Sequence, residues 1–379
     1  MHIFFVDLKI SIDMLSPIIN NLINNNQKVI MYNINLIQDY NRENNMLLRF
    51  LSKNPNFKFI SDYDISLRSR FFKFFFSLFR LYFNKGYYSG YRLWSFLWKE
   101  TFYLSKNKFK YFIKKNNVKS LTIVEDLPAK KKLLLNRIKN ELNIPLIMAH
   151  GGINTIPSTT KFSEITPNYY LAANNQGKEL ISSLKSFKLF GSPRYSKKWI
   201  NSIEQIYLLE EKKNKKLFTI GVFMNQNSPL LDGMKELVAK IKSTEIKVLI
   251  NSKPREIVPL SQSFQNNEIS ASELIHMSDL IISYPSSILL EAVQKEKPII
   301  FPCFLEKFNE LNKGNVFENN DMFLFPKNIN ELIELIEKYR LRDTKHKYDE
   351  KQKKIFLEKM IQDELTIDQK YLNFYLTLN

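Results

Sequence analysis

Residues 272–302 read SELIHMSDLIISYPSSILLEAVQKEKPIIFP. Ser272 is placed to cap a short helix carrying Glu273. Asp279 precedes an unbroken apolar run at 280–283, the pattern of a parallel strand buried on both faces. Tyr284 and Pro285 make a turn. Ser286 and Ser287 then open a helix whose apolar residues are Ile288, Leu289, Leu290, Ala292 and Val293. Lys297-Pro298 closes that helix and starts the next strand, PIIFP. Helix, strand, helix and strand with short joints form a parallel crossover unit, and this unit predicts the rest of the fold.

Outward from this segment the same alternation continues. Strands are predicted at 3–6, 28–34, 57–61, 120–125, 144–149, 168–173 and 187–191, with helices at 11–25 and 129–142 among them. Residues 192–216, SPRYSKKWINSIEQIYLLEEKKNKK, interrupt the series and end in lysines. It restarts with strands at 217–224, 247–251, 280–283, 298–302 and 322–325, and helices near 229–242, 271–277, 286–296 and 328–341. The expected architecture is α/β: two Rossmann-like parallel-sheet domains facing a cleft. The expected boundaries are an N-terminal acceptor-side domain at 1–191, a basic linker at 192–216, a C-terminal nucleotide-binding domain at 217–344 and a helical tail at 345–379.

Composition narrows the function. The 379 residues suit two domains of the usual ~100–200 residues. A 44% hydrophobic and 25% charged chain can bury a core, which excludes wholesale disorder. Lys plus Arg number 56 against 38 Asp plus Glu, a net charge of +18, so an anionic partner is expected: nucleic acid, anionic lipid or a phosphorylated substrate. A single cysteine, Cys303, excludes an internal disulfide framework and a cysteine-built zinc site. The four histidines (His2, His150, His276, His346) are scattered, which argues against a histidine metal centre. Asp7 and Lys9 interrupt the first apolar run too early for a secretory signal. No run approaches the ~20 apolar residues of a membrane-spanning helix. The low glycine count of 9, with abundant Lys, Asn and Ile, also fits an AT-rich genome, and part of the charge is that lysine bias.

The chemistry concentrates at Ser286 and Ser287. A helix N-terminus presents unpaired N–H groups and partial positive charge, and two hydroxyls add donors. At the carboxyl end of a parallel strand this is a phosphate site. Glu291, one turn deeper, is placed to accept hydrogen bonds from a ribose. The plainer alternatives stay open: serine is a common N-cap, and Glu291 could pair with Lys295 at the surface.

The strand–turn–Ser-Ser–helix–Glu-Ala–KPIIF pattern resembles the nucleotide-binding half of GT-B glycosyltransferases. It is most similar to bacterial enzymes of capsule, lipopolysaccharide and teichoic-acid synthesis: sialyltransferase-like, Kdo-transferase-like and CDP-glycerol phosphotransferase-like groups. The resemblance covers 217–305 best. It implies that Ser286 and Ser287 hold the donor phosphate. It also implies a second phosphate contact after the strand at 247–251, in KVLINSKPRE. There Ser252, Lys253 and Arg255 are the candidates, with Lys253 where those families place histidine. Lysine and arginine still neutralise a phosphate, arginine bidentately, though neither reproduces a neutral imidazole. Equally, both are compatible with a solvated loop. Asn225 and Ser228, in the turn after 217–224, are further candidate donors, in residue types that also fill ordinary turns.

Transfer to a hydroxyl needs a base, which in inverting enzymes of this type comes from the first half. Glu125 and Asp126, in TIVEDLPA, resemble a paired-acid motif, with Leu127 where a glycine is expected. His150, in AHGGINT, follows a predicted strand, and Gly151 and Gly152 allow close backbone approach. Asp126 ranks first as base, with His150 as orienter or diphosphate contact. Asp126 also suits a helix N-cap before Pro128, and His150 a structural role in its loop. There is no P-loop, no GxGxxG and no convincingly placed DxD pair. No metal and no cofactor is expected, because helix termini and basic side chains can stabilise a leaving phosphate.

Residues 68–115 interleave aromatics with Lys and Arg, and Glu100 is their one acid. Three readings are open: an anionic membrane surface or a groove for a lipid-linked acceptor, a pair of core helices, or a single-stranded nucleic-acid surface. Nucleic acid is not the expected partner, since no recognition motif accompanies the stretch. The resemblance thus implies an inverting, metal-independent glycosyltransferase at the inner face of the cytoplasmic membrane. It would move a sugar from a nucleotide-activated donor, a CMP-linked acidic sugar being favoured over a UDP-hexose, to a surface-glycan or lipid-linked acceptor. A CDP-polyol phosphotransferase, a sugar-nucleotide epimerase and a non-catalytic basic membrane- or nucleic-acid-associated protein are the alternatives.

Overall fold

The computed structural model describes residues 1–6, 9–34, 45–61, 109–124, 129–149, 167–174, 186–211, 217–224, 228–241, 245–252, 271–305, 308, 314–318, 320–341, 347–362 and 365–378. They fall into two compact units. One holds the described residues up to Arg194 and from Thr366 onward, and the other those from Tyr195 to Leu365.

The first unit is built on strands β1 (His2–Val6), β2 (Val29–Asn33), β3 (Phe57–Ser61), β4 (Ser120–Val124), β5 (Leu146–Ala149), β6 (Tyr169–Ala172) and β7 (Phe187–Leu189). They form one sheet in the order β3-β2-β1-β4-β5-β6-β7, every pair parallel. Each residue of β1, β2 and β4 is buried. Strands covered on both faces read as continuous apolar runs for that reason. On one face Ile3, Phe5, Tyr32, Leu121 and Met148 pack with Phe109 and Ile113 of a helical stretch at 109–115, and with Leu135 and Ile138 of α3 (Ala129–Leu142). Helices α1 (Lys9–Asn24) and α2 (Met46–Leu51) belong to the same unit.

Left-handed turns close three of its helices. Asn26 (φ 58°), Asn117 (φ 47°) and Asn143 (φ 53°) follow α1, the 109–115 stretch and α3. In each case the next N–H donates to the carbonyl five residues back: Gln27 to Leu22, Val118 to Ile113 and Ile144 to Lys139. This is the cap that usually employs glycine, and asparagine tolerates the same backbone region. In a chain with 9 glycines, these three helices of the first unit stop on asparagine.

The second unit carries β8 (Phe218–Met224), β9 (Ile246–Ser252), β10 (Leu280–Ser283) and β11 (Ile299–Ile300) in the order β11-β10-β8-β9, all parallel. The strand expected at 322–325 is reduced to a single bridge between Ile300 and Leu324. One face packs Ile220, Val222, Ile282 and Ile300 against Met234 and Val238 of α5 (Ser228–Ile241) and Leu332 and Ile336 of α8 (Ile329–Arg340). The other lies against α6 (Ala271–Met277), where Gly221 meets Leu274 and Ser278.

Two stretches lie elsewhere than their sequence suggested. Residues 197–211, read as linker, form helix α4 (Lys197–Glu211) within the second unit, with Trp199, Ile200 and Ile203 buried. An apolar stripe at helical spacing must be covered, whatever the lysine content beside it. The tail divides: α9 (Glu350–Ile361) stays in the second unit, whereas α10 (Ile367–Leu376) packs in the first. There Tyr375 Oη bonds Thr122 Oγ1 of β4 at 2.8 Å. Tyr371 donates to the Gly191 carbonyl at 3.2 Å, and Asn21 of α1 to the Asp368 carbonyl at 2.7 Å.

Candidate functional site

In the second unit β8, β9 and β10 end along one sheet edge, since Met224 pairs with Ser252 and Phe223 with Ser283. From β8 the chain goes to β9 on one side and later to β10 on the other, and β10 leads on to β11, away from β8. The connections leaving β8 and β10 therefore diverge. Ligands of open parallel sheets bind at such a switch of strand order, beyond the carboxyl ends. The Tyr284–Ile288 turn follows β10 at this point.

Within the turn, the Ser283 hydroxyl donates to the Tyr284 carbonyl at 2.7 Å. The carbonyls of Ser286, Ser287 and Ile288 accept from the N–H groups of Leu289, Leu290 and Glu291, three residues on, at 3.0, 3.2 and 3.1 Å. Regular helix begins only at Leu289: α7 is Leu289–Gln294, six residues, where the sequence suggested an opening at Ser286. Its end charge is correspondingly small, so an anion held at this turn would have to rely on the turn's own donors more than on a helix dipole. Ser286 and Ser287 are both partly exposed. Among the described residues neither hydroxyl has a hydrogen-bond partner.

The turn is held from behind. Tyr195, in the 3-10 turn Pro193–Tyr195, is fully buried and donates its hydroxyl to the Ser287 carbonyl at 2.7 Å. Gln294 donates its side-chain amide to the Tyr195 carbonyl at 2.9 Å. Glu291 is 0% exposed, and its carboxylate accepts the Ser272 hydroxyl at 2.8 Å. Ser272 is therefore not the cap of α6 but the tie between α6 and α7. Glu291 is likewise no surface partner of Lys295, because its side chain is fully buried. In this structure Glu291 is a structural tie rather than an open acceptor for ribose. Nothing local in the sequence marked Tyr195 or Gln294; the Ser272–Glu291 pair required knowing that two helices are neighbours.

The other candidates are only partly placed. Ser252 is the last residue of β9 and Ser228 the first of α5, known by backbone. Asn225, Lys253 and Arg255 lie outside the described residues. In the first unit β4 and β5 end as paired neighbours at Val124 and Ala149. Glu125 and Asp126 follow one in sequence and His150, Gly151 and Gly152 the other; these five also lie outside the described residues. So does most of 68–115. Of its last part, Phe109 stacks against Phe112 and meets Phe5 and Tyr32 edge-on, while Tyr111 is 67% exposed. Among the described residues no cluster of His, Cys, Asp or Glu could hold a metal ion, and no helix is long and apolar enough to cross a membrane. Burial pushes the Cys303 thiol up to about 11, so it is not a thiolate nucleophile near neutral pH.

The sequence matches no protein-family model and no curated protein. Solved structures do resemble it. The UDP-GlcNAc 2-epimerase from Methanocaldococcus jannaschii superposes over 99% of this chain and 100% of that one, at 12% identity and a TM-score of 0.54. An S. aureus MnaA–UDP co-structure matches over 100% of this chain and 98% of that one, at 10% identity and a TM-score of 0.52. The wall teichoic acid polymerase TagF aligns over 68% of this chain and 72% of that one, at 14% identity and a TM-score of 0.46, too distant to bear on the fold. The two full-length likenesses establish the fold: two parallel-sheet units of the GT-B type.

Proposed function

We propose that this protein is an enzyme acting on a nucleotide-activated sugar, with the nucleotide phosphate received at Ser286 and Ser287. The observation that carries this reading is the pair of hydroxyls, without a hydrogen-bond partner among the described residues, on a turn at the switch of strand order in the second unit. The likeness in fold to a protein solved with UDP supports it. Backbone N–H groups and hydroxyls carried on one turn suit an anion whose charge grows as the bond to the sugar breaks.

The finer reading is an inverting, metal-independent glycosyltransferase. An acceptor hydroxyl attacks the anomeric carbon, a base takes its proton, and the bond to the nucleotide phosphate breaks with its electron pair leaving on oxygen. Asp126 is the proposed base, with Glu125 beside it and His150 as orienter. Lys253 and Arg255, with Ser252, Asn225 and Ser228, are the proposed further phosphate contacts. A CMP-linked acidic sugar is the proposed donor and a surface-glycan or lipid-linked chain the proposed acceptor. The net charge of +18 supports work at an anionic membrane surface. A second reading, a sugar-nucleotide epimerase, is favoured by the near-complete coverage of the M. jannaschii epimerase.

A thermal-shift panel of CMP, CDP, UDP and GDP with their sugars tests the common ground. A rise in melting temperature with any of them, reduced in Ser287→Ala, is expected. No response to the panel refutes the proposal, and a salt-sensitive affinity for oligonucleotides in its place would favour the non-catalytic alternative. Turnover of UDP-GlcNAc to its 2-epimer without an acceptor would select the epimerase.

A further inference from the structure

A turn that receives a phosphate must hold its donors in position before the ligand arrives. The Ser286–Ile288 turn has its own backbone bonds to the next residues, but Ile288 precedes α7 without any side-chain capping bond. A further bond comes from 92 residues upstream. Tyr195 is the first residue of the second unit. Its buried hydroxyl donates to the Ser287 carbonyl at 2.7 Å, and its own carbonyl accepts from Gln294 at 2.9 Å. One bond lies just before α7 and the other on its last residue, so Tyr195 brackets the helix.

The Ser287 carbonyl also accepts from the Leu290 N–H at 3.2 Å. A carbonyl oxygen has two lone pairs, and here both are engaged. That fixes the plane of the Ser287–Ile288 peptide and with it the direction of the Ile288 N–H, which points away from the carbonyl across the same rigid plane. A freely rotating turn would scatter its donors.

We propose that Tyr195 is a positioning residue for the donor phosphate: through the Ser287 carbonyl it orients the Ser287–Ile288 peptide and the serine hydroxyls beside it. This rests on the reading of the turn as the phosphate site. Tyr195→Phe removes one oxygen and keeps the ring. Gln294→Met removes the second bond at similar size and serves if the tyrosine variant folds poorly.

The experiment measures binding of a nucleotide and of its nucleoside by competition, with amide hydrogen exchange over 284–291, in wild type, Tyr195→Phe, Gln294→Met and Ser287→Ala. The expected result is a nucleotide Kd raised about five- to tenfold in Tyr195→Phe, the value of one lost hydrogen bond. The nucleoside Kd should change less than about twofold, and exchange should quicken at Leu289 and Leu290. Gln294→Met should shift the same way. If the wild type binds nucleotide and Ser287→Ala weakens it, but Tyr195→Phe and Gln294→Met bind as wild type, the positioning role is refuted and the donor site stands. Equal loss for nucleotide and nucleoside refutes it too, as general loosening. If the wild type binds no nucleotide, the donor site itself falls, and the positioning role with it.

Discussion

Gly221 lies in β8 with its α-carbon turned toward α6. A β-carbon added there would stand 2.3 Å from Ser278 Oγ, 2.7 Å from Leu274 Cδ2 and 3.1 Å from Ile281 Cδ1. None of the three neighbours gives way cheaply. The Ser278 hydroxyl is buried and donates to the Leu274 carbonyl at 2.5 Å, so rotating it away forfeits that bond, worth about 1 kcal/mol. Leu274 and Ile281 are fully buried, and overpacking of this kind costs roughly 1–3 kcal/mol. Against this, alanine restricts the unfolded chain and returns about 0.4–1 kcal/mol. Gly221→Ala should therefore destabilise by about 2–3 kcal/mol, read as a lower urea midpoint at unchanged slope. Gly233→Ala is the matched control: its β-carbon would sit 3.3 Å from Leu305 Cδ2, the flexible end of a side chain, inside α5. Gain of helix propensity there, up to ~1 kcal/mol, should leave it neutral or more stable. Because Ser272 of α6 holds Glu291, a displaced α6 should also weaken nucleotide binding in Gly221→Ala. A Gly221→Ala midpoint equal to wild type within about 0.5 kcal/mol would refute the packing argument, since it would mean that α6 moves without cost.

Ser272→Ala should destabilise by about 1–3 kcal/mol by taking a donor from the buried Glu291 carboxylate, measured by the same titration; no loss would mean that another donor suffices. His2 is buried and bonded to Ser120 Oγ at 2.8 Å. Burial first, then the chain's amino group and Lys119, lower its pKa from 6.5 to about 4. Its neutral form is the folded one, so stability is complete above pH 6.5 and falls as pH drops to about 4, by up to about 3 kcal/mol; a His2→Gln variant should show a flatter stability–pH curve over that window. Asn328 caps α8 by accepting the Glu331 N–H at 3.0 Å, while the Glu331 carboxylate accepts the Lys327 N–H at 2.8 Å. Asn328→Ala should cost about 1 kcal/mol, and an unchanged melting temperature would refute the cap's contribution.

The strand–helix alternation was legible in the sequence, because hydrophobic period is a local property written residue by residue. The predicted helices at 129–142 and 271–277 and the predicted strands at 57–61 and 280–283 coincide with α3, α6, β3 and β10. The sequence also singled out Ser286 and Ser287, though as the opening of a helix, whereas regular helix begins only at Leu289. It did not place α4, because lysines at 197, 198, 212, 213, 215 and 216 mask the apolar spacing of Trp199, Ile200 and Ile203, which was the available signal. Where the tail goes is set by contacts between distant parts of the chain. An amphipathic helix announces that it will be covered, not by what, and the bonds of Tyr375 to Thr122 and Tyr371 to Gly191 span 253 and 180 residues. The same holds for strand order, hence for the switch between β8 and β10, and for Tyr195 behind Ser287. These are choices among distant partners, made by the summed packing of the fold, and no local pattern encodes them.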